Sequence, residues 1–113
     1  METPAIDLVE FYISRAEIFY RSGQAAHAIR EAETALSLCR KPWQEEKRTA
    51  IRIFIARAYA RDGDFARSNK KYRELISDRI FIPPIVMGLM HNNLRLGADE
   101  KVYRNITLMR LFT

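Results

Sequence analysis

The sequence predicts an all-α protein built of three tandem helix-turn-helix hairpins, and three observations carry that expectation. Apolar residues recur at spacings of three and four along most of the chain, the period of an amphipathic helix rather than the alternation of a strand. Glycine and proline are scarce, four of each, and sit as punctuation. Gly23, Gly63 and Gly97 each close one periodic segment and precede another.

Taken in order, the first helix is expected to start with Thr3 as N-cap and Pro4 as first helical residue, where the missing N–H of proline costs nothing. Ile6, Val9, Ile13, Ala16 and Tyr20 form its apolar face. The second runs from about Gln24 to Cys39, with Ala25, Ala28, Ile29, Ala32, Leu36 and Cys39 inward; small residues there allow close helix approach. The third, from Gln44 to Arg61, carries Ile51, Ile55, Ala58 and Tyr59, and the fourth, from Asp64 to Ser77, carries Phe65, Tyr72, Leu75 and Ile76. Pro83 and Pro84 open a fifth that reaches Leu96, and a sixth begins near Asp99. Tyr59 and Tyr72 are expected as buried aromatic wedges. The chain reads as one domain, 1–113, with repeats near 4–40, 44–78 and 84–113.

Turn spacing narrows the fold further. From Gly63 to Gly97 is 34 residues and from Gly23 to Gly63 is 40, an extra six that the Lys41-Pro42-Trp43 segment can absorb. In the second repeat Ala56 and Tyr59 stand as a small residue and an aromatic, Gly63-Asp64-Phe65 as the turn, and Ser68 and Tyr72 as the small residue and aromatic of the second helix. The first repeat has Ala16, Phe19, Gly23, Ala28 and Ala35, with Ala32 in place of an aromatic and Arg15 in place of a core leucine. The third keeps Leu89 and Gly97 and departs most, with Asn93 at the aromatic position and Ile106 and Met109 in its second helix. These residues resemble the tetratricopeptide repeat (TPR) family over about residues 8–112. The resemblance implies a short right-handed α-solenoid that scaffolds protein–protein interactions.

The lengthened linker and the run Pro83-Pro84-Ile85-Val86-Met87-Gly88-Leu89 are in turn similar to the N-terminal domain of the subunit 7 family of the anaphase-promoting complex. That narrower resemblance implies a homodimeric subunit of a cell-cycle ubiquitin ligase. Small TPR chaperones of type III secretion systems fit by length, and an RNA-binding helical repeat is a third alternative.

Composition sets the function classes. Hydrophobic residues make up 48%, enough for one core, and 19 Lys+Arg against 14 Asp+Glu give a net charge of +5 with both signs interspersed. No apolar stretch approaches a membrane span, and no leader pattern opens the chain, so an intracellular location, cytoplasmic or nuclear, is expected. The single Cys39 has no disulfide partner in the chain and is expected as a buried structural thiol. Two histidines, His27 and His91, with no Gly-rich phosphate loop and no CxxC or HExxH spacing, supply no catalytic or metal-ligating set. Glu31 and Glu33 straddle Ala32 and cannot face one another on a helix. Neither enzymatic activity nor a cofactor is expected. Arg48, Arg52, Arg57 and Arg61 with Lys70, Lys71 and Arg73 could meet phosphates, but Glu45, Glu46, Asp62, Asp64 and Glu74 interrupt them without interleaved aromatics, which disfavours nucleic acid.

A protein partner is therefore the expected ligand, and family register implies where it docks. A concave groove would display Ile13, Glu17, Tyr20 and Arg21 from the first repeat and Ile53, Arg57, Ala60 and Arg61 from the second. Met87, His91, Leu94 and Arg95 would come from the third. An apolar stripe flanked by charge suits an amphipathic or extended segment. Ile13 and Glu17 stand where a clamp for a terminal carboxylate would need Lys and Asn.

The last helix shows Val102, Ile106 and Met109 on one stripe and Leu108, Leu111 and Phe112 on a second that its hairpin partner cannot cover. Each such side chain is worth about 1.5–3 kcal/mol when buried. The chain is accordingly expected to continue into a longer array or to self-associate through Leu108, Leu111 and Phe112. Light scattering on the 113-residue chain tests this. Association that Leu111→Glu with Phe112→Glu abolishes is the expected result, and a strict monomer unchanged by the pair refutes it.

Overall fold

The computed structural model of the chain describes residues 7–80 and 82–96. Every regular element among them is helical: α1 (Leu8–Arg21), α2 (Ala25–Leu38), α3 (Glu45–Arg61), α4 (Phe65–Ser77) and α5 (Pro83–Arg95). A short 3-10 turn, Pro42–Gln44, precedes α3. The expected sixth helix, the turn at Gly97 and the Thr3–Pro4 cap lie outside the described residues.

Three of the five helix starts have a clear chemical cause. Asp7, in extended conformation, caps α1 by accepting from the amides of Val9 at 3.1 Å and Glu10 at 3.3 Å. Two otherwise unpaired N–H groups are satisfied by an anion at the positive end of the helix. The described helix α1 accordingly begins at Leu8. Asp64 caps α4 through the amide of Arg67 at 3.1 Å. Pro83 opens α5, and Ile82 before it is extended, the conformation a residue preceding proline is driven to.

Three helix ends share one geometry. At Gly23 (φ 82°) the amide donates to the Tyr20 carbonyl, and the Gln24 amide reaches back to Phe19 at 2.8 Å. Gly63 (φ 84°) repeats the pattern with Ala60, while Asp64 reaches Tyr59 at 2.9 Å. These are Schellman closures, which need a left-handed residue after the cap. The third closure, at the end of α4, uses Arg79 at φ 64°, with Ile80 reaching Leu75 at 3.0 Å. No glycine marks it. Ile80 packs in the same cluster as Leu75, so the contact that accompanies the motif holds a residue with a Cβ in that conformation.

Consecutive helices pack on one another, α1 on α2 through to α4 on α5, with a lesser contact between α3 and α5. Two apolar clusters result. Val9, Ala16, Ile29, Ala32, Ala35, Cys39, Ile51, Ile55 and Ala58 form the first, and Ala56, Tyr72, Leu75, Ile85 and Leu89 the second. Only α3 belongs to both. Ala56 and Ser68, both fully buried, let α3 and α4 touch, and the Ser68 hydroxyl donates to the Ala56 carbonyl at 2.7 Å. Tyr59, expected as a core wedge, is half-buried at the edge of the first cluster, its hydroxyl 3.4 Å from Glu33. Arg15 does not occupy a core position: it is exposed, pairs with Glu31 at 3.1 Å and lies over the rings of Phe11 and Phe19.

The α4–α5 contact differs in kind. Asn92 donates to the Ser68 hydroxyl at 2.7 Å and to Asn69 Oδ1 at 2.9 Å, and Asn69 donates to Asn93 at 3.3 Å, all four residues being buried. Tyr72, 2% exposed, packs against Gly88 of α5, where any Cβ would be driven into its ring.

Gly88→Ala should consequently destabilise the protein, although an exposed helical Gly→Ala gains about 1 kcal/mol. Overpacking a filled core costs about 1–3 kcal/mol and outweighs that gain. Thermal denaturation followed by circular dichroism should show a lowered midpoint. In a Tyr72→Leu background the loss should shrink, because the clash partner is gone.

Candidate functional site

Helices α1, α3 and α5 share one side of the stack, and two adjoining depressions run along it. The first, of about 600 Å³, is lined by Glu10, Ile13 and Glu17 of α1, Ala32 of α2, and Trp43, Glu46, Lys47, Ala50, Ile53, Phe54 and Arg57 on the α3 side. The second, of about 950 Å³, is lined by Tyr20, Ala50, Ile53, Arg57, Ala60, Arg61, Tyr72, Met87, Gly88, His91, Asn92 and Arg95, among others. Ala50, Ile53 and Arg57 border both, so the depressions form one groove with a waist at the middle of α3.

Aromatic and ionic contacts shape the waist. The ring of Tyr20 meets Phe54 at 5.4 Å between centroids, and the Arg61 guanidinium sits over the same Tyr20 ring at 4.7 Å. Such a cation–π contact holds the charge in place without consuming its N–H donors. At the other end Lys47 of α3 pairs with Glu10 of α1, and this hydrogen bond raises the Lys47 pKa.

Of the residues expected along the groove, Ile13, Glu17, Tyr20, Ile53, Arg57, Ala60, Arg61, Met87, His91 and Arg95 line it. Arg21 does not: it is exposed in the last turn of α1 and outside the lining, as is Leu94 on α5. Leu108, Leu111 and Phe112 lie outside the described residues. The sequence reading missed the rest of the lining, Trp43, Phe54, Tyr72 and Gly88 among them. Ala50, Phe54 and Arg57 follow one another at helical spacing, a readable signal; Trp43 comes from the linker and Tyr72 from a helix behind the groove, and neither carries one.

The arginine row of α3 splits into two faces. Arg48 and Arg52 are one turn apart, as are Arg57 and Arg61, but the five-residue step between the pairs offsets them by about 140°. On the outer face Arg48 binds the carbonyls of Cys39 at 2.8 Å and Lys41 at 3.0 Å, and Arg52 pairs with Asp78 at 2.6 Å. Those charges hold the linker and the end of α4. Arg57 and Arg61 face the groove.

Groups of chemical interest elsewhere have structural surroundings. His27 is exposed and rests on Phe19, 5.3 Å between centroids. Glu31 and Glu33 point to separate partners, Arg15 and Tyr59. Among the described residues no group of three or more His, Cys, Asp or Glu is gathered as a metal site, and no helix is long and apolar enough to cross a membrane. Comparisons with protein-family models, curated proteins and solved structures return no match.

Cys39 is buried at the C-cap of α2, and burial pushes its thiol pKa up despite the nearby charges of Lys47 and Arg48. The folded state holds the thiol proton longer than the unfolded chain, so the unfolded thiol ionises first as pH rises. Alkylation by iodoacetamide should be slow in native buffer, with its pH inflection displaced upward. It should become fast in denaturant, where the residue is released.

Proposed function

We propose that the chain is a protein-interaction scaffold of tetratricopeptide type, self-associating or built into a larger assembly. In this reading α1–α2 and α3–α4 are successive hairpins, α5 opens a third, and the groove receives a segment of a protein partner. One observation carries it: alternate helices α1, α3 and α5 share a trough with an apolar floor and a charged rim, while α2 and α4 stand behind and contribute Ala32 and Tyr72 to that floor. Ile13 and Ile53 are half-buried there and Met87 is 51% exposed. A partner segment would find apolar surface still in water and fixed cations beside it, the composition of an interface core and rim.

The matched closures at Gly23 and Gly63 and the Ala56–Ser68 contact support the tetratricopeptide assignment, since that repeat relies on small residues at helix crossings. Membership of a ubiquitin ligase of the cell cycle is the narrower form of the proposal, and it rests on the run from Pro83 to Leu89.

Site-specific photo-crosslinking tests the docking face. A crosslinking residue at Ile53 or Met87 should give a defined adduct with a protein partner, and one at Thr34, exposed on α2, should give none. Adducts from Thr34 alone would move the docking face to the α2–α4 side.

A further inference from the structure

We infer that the α3–α5 half of the groove selects an acidic amphipathic segment, with carboxylates against Arg57, Arg61 and Arg95 and apolar side chains on Ile53 and Met87. The inference rests on the groove being the docking face and adds the sign and orientation of what it takes.

Charge distribution is the first ground. The second depression contains three arginines and no carboxylate in its lining, whereas the first contains Glu10, Glu17 and Glu46. Elsewhere Arg15 pairs with Glu31, Arg48 with Glu45, Arg52 with Asp78 and Arg67 with Asp64, while the remaining unpaired arginines among the described residues are scattered singly rather than gathered around one depression. Arg57, Arg61 and Arg95 have no carboxylate within 4 Å among the described residues, since the six ion pairs there use other side chains. Like charges gathered around one depression repel, and an incoming carboxylate relieves that repulsion. Guanidinium groups accept a carboxylate in a two-point geometry that a lysine does not offer.

Tyr72 is the second, independent ground. Its side chain is 98% covered and lines the floor of this depression, yet the described residues provide its hydroxyl with no hydrogen bond. Burial raises its pKa, so the group remains a donor at neutral pH. A buried unpaired donor costs free energy that an acceptor on a ligand would recover.

Polarity then sets the orientation. The acidic stretch lies over α3 and α5, and the neutral or basic end of the segment lies toward Glu17 and Glu46. Protein is favoured over nucleic acid because Ile53 and Met87 present aliphatic surface between the cations, and the two tyrosine rings of this half offer no open face for a base, Tyr20 lying under Arg61 and Tyr72 against Gly88.

Fluorescence anisotropy on the full chain tests this with three labelled probes: a Leu/Glu amphipathic peptide, its Leu/Lys counterpart, and an oligouridine. The acidic peptide should bind at least about tenfold more tightly than the other two. Arg57→Glu with Arg95→Glu, at exposed positions whose fold circular dichroism would verify, should reverse the preference toward the Lys peptide. Equal binding of both peptides overturns the charge selectivity while leaving the groove as docking face. Tighter binding of the oligouridine overturns the inference in favour of phosphate. Binding of no probe, or an acidic preference that survives the double reversal, overturns it as well; crosslinking at Ile53 separately decides whether the groove itself docks protein.

Discussion

Everything in this fold passes through α3, because among the described helices it alone contributes to both apolar clusters. Ile51, Ile55 and Ala58 face the first cluster and Ala56 the second. The constraint is steric. Ala56 and Ser68 are small enough for α3 and α4 to touch, and the hydroxyl of Ser68 closes on the Ala56 carbonyl. A larger residue at either place would push α4 outward and carry Tyr72 and α5 with it. The groove depends on the same contact, since the floor of its second half is Tyr72 seen past α3.

The two helix interfaces on either side of α4 are built from different chemistry. Toward α3 the contact is close and largely apolar. Toward α5 it combines one ring packed on Gly88 with four buried polar side chains hydrogen-bonded to one another. Amide hydrogen bonds are directional where aliphatic contacts are not, so Asn69, Asn92 and Asn93 fix the register of α5 along α4 more strictly than leucines would. Register matters here because α5 brings Met87, His91 and Arg95 to the groove.

Much of the helical layout was legible. Glycines at two turns, prolines at the start of α5 and alanines at crossing points act locally, so a linear reading finds them. Features set by a distant partner were not legible. Arg79 takes a left-handed turn because Ile80 packs with Leu75, and its own side chain gives no sign of it. Asn93 reads only as a departure at an aromatic position until Asn69 is placed opposite it, and Asn92 gives no signal until Ser68 is. Gly88 reads as a weak point in a helix until the ring of Tyr72 fills the space beside it. In the groove, the register implied by the resemblance placed ten of the lining residues, but which arginines pair within the fold depends on where Glu31, Asp64 and Asp78 fall in three dimensions.

Packing between consecutive helices has a consequence for how the chain acquires its structure. Nearly all helix–helix contacts join segments that follow directly in sequence, with α3 against α5 the lesser exception. Closing such contacts requires only short loops, and chains of low relative contact order fold on the microsecond-to-millisecond scale. Synthesis at the ribosome is far slower, with each helix emerging over roughly a second. The α1–α2 hairpin can therefore form before α3 is made, and each later helix meets a surface already in place. Until Ile51 and Ile55 arrive, the apolar side of that hairpin stays uncovered, which makes the emergence of α3 the step at which the nascent chain first encloses a core.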